Sequence, residues 1–250
     1  MNITKPTINN AFYDQLGDRW YDDESHPIAL LRAESTIKLQ FVQESLRKEK
    51  ISDHAKILDI GCGAGLISNP LGALGYRVKG IDMSAGSLAI ARLHRPPQAT
   101  VEYEVADAYA LPDADAQYDA VIMLDFLEHV DQPGRAIAEA SRVLKPGGIL
   151  VYHTFNRTWL SFLLVIKAVE FFSNDCPEHM HLYRMFITPR ELAKMCVNAN
   201  LQPQFVTGIR PSWESKAFWL SLSQRRVHPD FSFRFTKLTA VGYIGYAMRQ

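Results

Sequence analysis

Ile57-Leu58-Asp59-Ile60-Gly61-Cys62-Gly63-Ala64-Gly65 is the stretch that decides how this chain is read. An apolar run of β type ends in a loop that alternates glycine with small residues, and a helix-compatible stretch, Leu66 to Leu74, follows. Glycine at Gly61 and Gly63 lets backbone N–H groups come close to a ligand where a Cβ would block them. A helix starting beside such a loop leaves unpaired N–H groups at its first turn. A small polar ligand is therefore expected here. A nicotinamide-type fingerprint would require glycine at position 66, where this chain has Leu66.

Outward from the loop the rhythm is strand, helix, strand. Arg77–Met83, Thr100–Ala106, Tyr118–Leu124 and Ile149–Phe155 read as further strands. Ser84–Leu93 and Pro133–Val143 read as helices, and Lys145-Pro146-Gly147-Gly148 as a tight turn. Such alternation predicts an α/β fold, a parallel sheet wrapped by helices with ligands at the carboxyl ends of the strands. Before it, residues 10–46 show helical periodicity interrupted at Asp22-Asp23-Glu24-Ser25-His26-Pro27, so two helices are expected. That arm either lies over the glycine loop as a lid or simply packs on the sheet.

The 250 residues suit one domain: a helical arm at 1–50, a ligand-binding core at 51–157, insertions at 158–235 and a final strand at 236–250. Hydrophobic content of 47% and charged content of 22% describe an ordinary globular protein. The net charge is zero, but residues 151–250 hold 12 Lys/Arg against 6 Asp/Glu, which leaves residues 1–150 acidic. A globally basic nucleic-acid binder is not expected, while an anionic surface meeting the C-terminal part stays open. Three cysteines without metal-type spacing, and a polar start with no signal-peptide pattern, point to a cytoplasmic setting.

Asp82 ends the second strand in Gly80-Ile81-Asp82-Met83, where a carboxylate can accept both hydroxyl hydrogens of a ribose. Asp107 follows the third strand in Ala106-Asp107-Ala108, placed to accept from an adenine amino group. The Asp59–Gly65 loop, Asp82, Asp107 and the Lys145–Gly148 turn together resemble the class I S-adenosylmethionine-dependent methyltransferases. That resemblance implies a Rossmann-like sheet of seven strands, mostly parallel, with helices on both faces and an antiparallel last strand, for which Lys237–Met248 is the candidate. It also implies S-adenosyl-L-methionine as cofactor, held by Asp59, Gly61, Gly63, Asp82, Met83, Asp107, Ala108 and Leu124. Lys38 falls where relatives place a basic residue on the cofactor carboxylate, although an exposed helix lysine is the plainer reading.

A second motif, Asp125-Phe126-Leu127-Glu128-His129-Val130, resembles the E-x-L-E-H-V segment of the ubiquinone-biosynthesis O-methyltransferases. Arg19-Trp20, Asn156-Arg157, the spacing from Pro177 through His181 to Glu191-Leu192, and Thr207-Gly208 agree with it. The resemblance implies methylation of a phenol or catechol hydroxyl on a polyprenylated precursor, with His129 and Glu128 as catalytic groups. The alternatives are another small acceptor, or a cofactor-binding protein without catalysis. Asp125, Glu128 and His129 stand at i, i+3 and i+4, so one helical turn would gather them for a divalent ion such as Mg²⁺. The other reading has Glu128 pairing locally and His129 acting alone as base or pocket wall. His153, inside an apolar strand, reads as a core histidine; His181 matches a position near the substrate.

From Trp159 to Phe172 only Ser161, Lys167 and Glu170 are polar. The run is too short to span a bilayer. It is read as a core helix, a pocket wall or a helix dipped in lipid, the last giving membrane-surface contact through 158–173 and a peripheral place at the inner face of the membrane. Pro189–Ala199 is a helix and Gln204–Ile209 a strand, while Pro211–Phe235 shows no helical pattern and reads as a loop or hairpin arm. The relatives' Tyr-Asn-Pro element is absent there; Ile209-Arg210-Pro211-Ser212 stands in its place. Oligomeric state has no sequence signal.

Overall fold

A computed structural model describes residues 10–167 and 182–250. The strands are β1 (Lys56–Ile60), β2 (Arg77–Asp82), β3 (Val101–Val105), β4 (Tyr118–Leu124), β5 (Leu144–Phe155), β6 (Leu201–Pro211), β7 (Phe233–Thr236) and β8 (Gly242–Arg249). The longer helices are α1 (Ile28–Lys48), α2 (Ser68–Ala73), α3 (Ala85–Leu93), α4 (Pro133–Val143), α5 (Pro189–Asn198) and α6 (Lys216–Gln224).

Side chains that alternate along a strand explain why β1 is apolar throughout. Ile57 joins Phe41, Val42, Leu46, Leu71, Ile122 and Val151 on one face of the sheet. Leu58 and Ile60 join Val121, Met123, Ile137, Leu150 and Leu192 on the other. A parallel strand covered on both faces reads as a continuous hydrophobic run. The sheet order is β3-β2-β1-β4-β5-β8-β6-β7. Neighbours among β1 to β5 run parallel, β8 runs antiparallel to β5 and β6, and β7 antiparallel to β6. The order reverses between β1 and β4, which opens a crevice at their carboxyl ends.

This is the expected Rossmann-like α/β sheet with one strand more. The eighth, β7, extends the edge beside β6 and comes from the segment read as a loop or hairpin arm. The same segment holds α6, capped by Ser215 accepting from the Phe218 N–H. The helical pattern was hidden because Ser221, not an apolar residue, is buried on the inner face beside Ala217, while Trp219 points to solvent. Two other boundaries moved. β8 begins at Gly242, and Lys145–Gly148 lies within an irregular start of β5, with Gly147 at φ 78°, rather than in a separate turn.

The expected helix break is present: Asn10–Gln15 and Arg19–Asp22 precede α1. After β5, Thr158 caps Trp159–Ser161, which continues as a π-helical turn over Phe162–Lys167. Val165 is buried while Trp159 is 72% exposed. The remainder of the 158–173 reading, with Cys176, His179 and His181, falls outside the described residues. Cys62 and Cys196 are free and buried. Among the described residues no helix is long and apolar enough to cross a membrane.

Ile122 is fully buried on the central strand β4. Ile122→Ala should cost about 2–5 kcal/mol in urea unfolding, whereas Arg234→Ala on the added edge strand should stay within about 0.5 kcal/mol of wild type.

Candidate active site

A cavity of about 560 Å³ lies at the carboxyl ends of β1, β2 and β4. The glycine loop forms part of its wall. Gly61 and Gly63 have φ of 74° and 51°, a region that favours glycine. A Cβ on Gly61 would sit 2.5 Å from Phe126 Cδ2, and one on Gly63 2.9 Å from Trp20 Cη2. Both rings line the cavity. The glycines thus admit two aromatic walls as well as the loop's own curvature.

Asp82 faces the cavity from the end of β2. Its two oxygens accept from the Gly63 N–H (2.9 Å) and the Ser84 N–H (2.8 Å), so the carboxylate is fixed before any ligand arrives. Burial raises its pKa. Asp59 also reaches the cavity; it accepts from Ser68 Oγ at 2.6 Å, and burial with Asp82 nearby pushes its carboxyl up to about 7. Met83, Ala108 and Leu124 line the same half of the cavity. Asp107 is exposed beside this wall, its carboxylate accepting from the Tyr109 N–H. This donor and acceptor set suits the ribose and base of a nucleoside.

The N-terminal arm lies across this half. Ser84 Oγ donates to Asp14 at 2.6 Å, Ser87 Oγ to the Tyr13 carbonyl at 3.1 Å, and Tyr21 Oη to the Ala64 carbonyl at 2.8 Å. Tyr13, Asp14 and Trp20 line the cavity, so the lid reading describes the arm.

Lys38 is not an exposed lysine: it is 1% exposed. Its ammonium donates to Glu34 at 2.9 Å and to both Asp125 oxygens at 2.7 and 2.6 Å. Burial opposes its charge, but Asp125 and Glu34 outweigh that and raise its pKa. Burial would likewise raise the Asp125 carboxyl, yet Lys38 and His153 hold it well below the usual carboxylate range. His153 Nδ1 lies 2.7 Å from Asp125, and its Nε2 lies 3.5 Å from Glu34. His153 is thus the core histidine expected, fully buried and held through Nδ1 by the charged cluster.

The structure does not gather Asp125, Glu128 and His129 as one helical ligand set. Asp125 takes φ 54°, the left-handed region, which breaks a helical turn at its start; a 3₁₀ turn begins only at Leu127. Aspartate tolerates that conformation better than most residues. Asp125 then turns to Lys38 and His153, whereas Glu128 Oε2 accepts from Thr154 Oγ1 at 2.7 Å and Oε1 has no hydrogen-bond partner among the described residues. Among the described residues, the three-residue cluster with metal-ligand spacing is Glu34, Asp125 and His153. The Lys38 ammonium is hydrogen-bonded to both of its carboxylates, so in this arrangement the residues do not fit a divalent ion.

His129 lines the cavity, edge-on to Tyr13 at 5.8 Å, and burial pushes its pKa down to about 4. Its imidazole is neutral at pH 7. Glu128 is buried and does not line the cavity; burial, then the Asp125 charge, raises its carboxyl well above the usual range. Sequence reasoning missed Glu34, although its i, i+4 spacing to Lys38 was a usable signal. Trp20 and Phe126 stood within stretches that carry the family resemblance, but nothing local marked them as walls of the cavity.

Residues 58–152 match a methyltransferase domain family. The chain is 33% identical over 255 residues to a ubiquinone biosynthesis O-methyltransferase of Xanthomonas oryzae pv. oryzae, covering 98% of each. It is 30% identical to the protein of that name from Nitrosococcus oceani, over the whole of both chains. Among solved structures it resembles a magnesium protoporphyrin IX methyltransferase from Synechocystis with bound SAH, at TM-score 0.61 and 16% identity over 99% of this chain and 90% of that one. It also resembles a SAM-dependent methyltransferase from Methanosarcina mazei, at TM-score 0.58 and 22% identity over 82% and 96%. At these identities the structures speak for the fold.

If the Lys38 ammonium holds the place between the carboxylates, Lys38→Met should raise the affinity for Mn²⁺, titrated by electron paramagnetic resonance, at least about tenfold. Equal affinity in the two proteins would refute that role.

Proposed function

The chain belongs to the ubiquinone biosynthesis O-methyltransferase family, and we propose that it transfers a methyl group from S-adenosyl-L-methionine to a phenol or catechol hydroxyl of a polyprenylated ubiquinone precursor. The observation that carries this reading is one continuous cavity. It joins a nucleoside-type half around Asp82 to an apolar half, and the two meet at Asp125 and His129.

When bound, the cofactor supplies an electrophilic methyl group. The chain's own residues do the rest. Asp82, braced by two backbone N–H groups, accepts the ribose hydroxyls. Met83, Ala108 and Leu124 bound the base, with Asp107 at the rim and Asp59, Gly61 and Gly63 shaping the floor. Lys38, paired with Glu34 and Asp125, holds Asp125 in place at the cavity wall. A phenol ionises near pH 10, so its proton needs an acceptor at neutral pH. We assign that role to His129 on position: it faces the cavity where the two halves meet and is unprotonated at neutral pH, although the burial that lowers its pKa also weakens it as a base. Glu128 acts from behind, anchoring the turn that carries His129 to Thr154 on β5.

The acceptor is lipophilic because the half of the cavity beyond His129 is walled by hydrocarbon, Leu164 and Val165 among it. Trp159, 72% exposed, and Leu160 support contact of this segment with a membrane surface, where such an acceptor resides.

Asp82→Ala should weaken cofactor binding by about a hundredfold or more in calorimetry, since a buried site loses its paired acceptor; unchanged affinity would sink the assignment. His129→Ala should lower kcat by about 10²–10⁴ with cofactor affinity intact. A kcat within a factor of two or three of wild type would remove His129 from the reaction.

A further inference from the structure

The segment that departs from the relatives' pattern, 211–235, supplies the far wall of the cavity. Phe218 and Leu222 stand at i and i+4 on α6, and both line the cavity, as do Phe231 and Phe233. Phe231 ties this wall together: its ring centroid lies 5.9 Å from that of Phe218 and 5.5 Å from that of Phe233.

The wall is held in place and is not a loose loop. Val227 and Phe231 pack on Ala29 of α1. The Val227 N–H donates to the Glu24 carbonyl at 2.9 Å, and Arg226 pairs with the Glu24 carboxylate. Ser221 Oγ, fully buried, receives the His228 N–H at 2.9 Å and closes the turn after α6. The outer face behaves differently. Trp219, on the same helix, is 61% exposed and does not line the cavity.

The acidic and basic residues that line the cavity belong to the N-terminal arm, α1, the strand ends and the Asp125–His129 turn, whereas α6 and the chain after it contribute Phe218, Leu222, Phe231 and Phe233. Leu30 and Ala33 of α1 pack with this wall. A ligand with one polar end at His129 meets apolar surface where it reaches α6. We infer that the inner face of α6, through Phe218 and Leu222, is the subsite for the acceptor's hydrocarbon tail and sets which tail the enzyme accepts. This rests on the O-methyltransferase reading and adds the specificity-determining residues to it. The aromatic surface of Phe218 with Phe231 suits a branched, unsaturated chain lying against it.

The test compares two acceptors, plain catechol and a catechol bearing a geranyl chain, in wild type, Phe218→Ala, Leu222→Ala and the outward-face control Trp219→Ala. Each inner-face variant should raise KM for the geranyl catechol about tenfold, with kcat and the KM for plain catechol unchanged. Trp219→Ala should change neither. Equal changes for both acceptors, or none for the geranyl compound, would overturn the subsite. Calorimetric binding of the same compounds separates this from the reaction itself. If wild type methylates neither compound yet binds the geranyl catechol more tightly, and the inner-face variants lose that preference, the reaction assignment fails and the tail subsite stands. If the preference is absent, or survives both substitutions, the subsite fails.

Discussion

A single ammonium, that of Lys38, organises the centre of this molecule. It sits buried between Glu34, one turn earlier on the same helix, and Asp125 at the end of β4, with His153 of β5 closing the other side of Asp125. Buried charges are tolerated only when paired, and removing one partner typically costs about 3–5 kcal/mol. The cluster therefore fixes α1 against the carboxyl ends of β4 and β5, where a parallel sheet places its chemistry. The left-handed backbone at Asp125 belongs to the same constraint, because it turns the carboxylate toward Lys38 and ends any helical continuation toward Glu128.

With α1 fixed, the rest of the site follows from what packs on it. Its N-terminal part carries the arm that covers the nucleoside half, through Tyr13, Asp14 and Trp20. Its outer side carries Val227 and Phe231, and so α6. One helix thus supports both the lid on the polar half and the end wall of the apolar half. His129 lies where the halves join, neutral because it is buried.

Much of this was legible in the chain, for a physical reason. A parallel sheet needs doubly buried strands and glycine-bearing turns, and both leave local marks, so Ile57–Gly65, Tyr118–Leu124 and Pro133–Val143 could be placed from residues alone. Asp82 could be placed too, at the end of β2 beside the loop, because its position depends on its distance from the glycines. The errors lie where tertiary contacts override local pattern. Asp125-x-x-Glu128-His129 has helical spacing, but a long-range ion pair to Lys38 decides where Asp125 points. His153 is the core residue it looked like, but its partner, Asp125, comes from another strand end and could not be read locally. Within α6, a buried serine bonded to the following turn replaced the apolar residue that would have revealed the helix. Lys38 was placed near the site by family likeness and then doubted on solvation grounds. The doubt failed because two carboxylates offset its burial.

The most direct test follows the methyl group itself. The enzyme is incubated with carbon-13 methyl-labelled S-adenosyl-L-methionine and a geranyl catechol, and the product is read by NMR. Label should appear in an aryl methyl ether and nowhere else, with no product from Asp82→Ala. Label on carbon or nitrogen, or no transfer to any catechol offered with the cofactor bound, would contradict it.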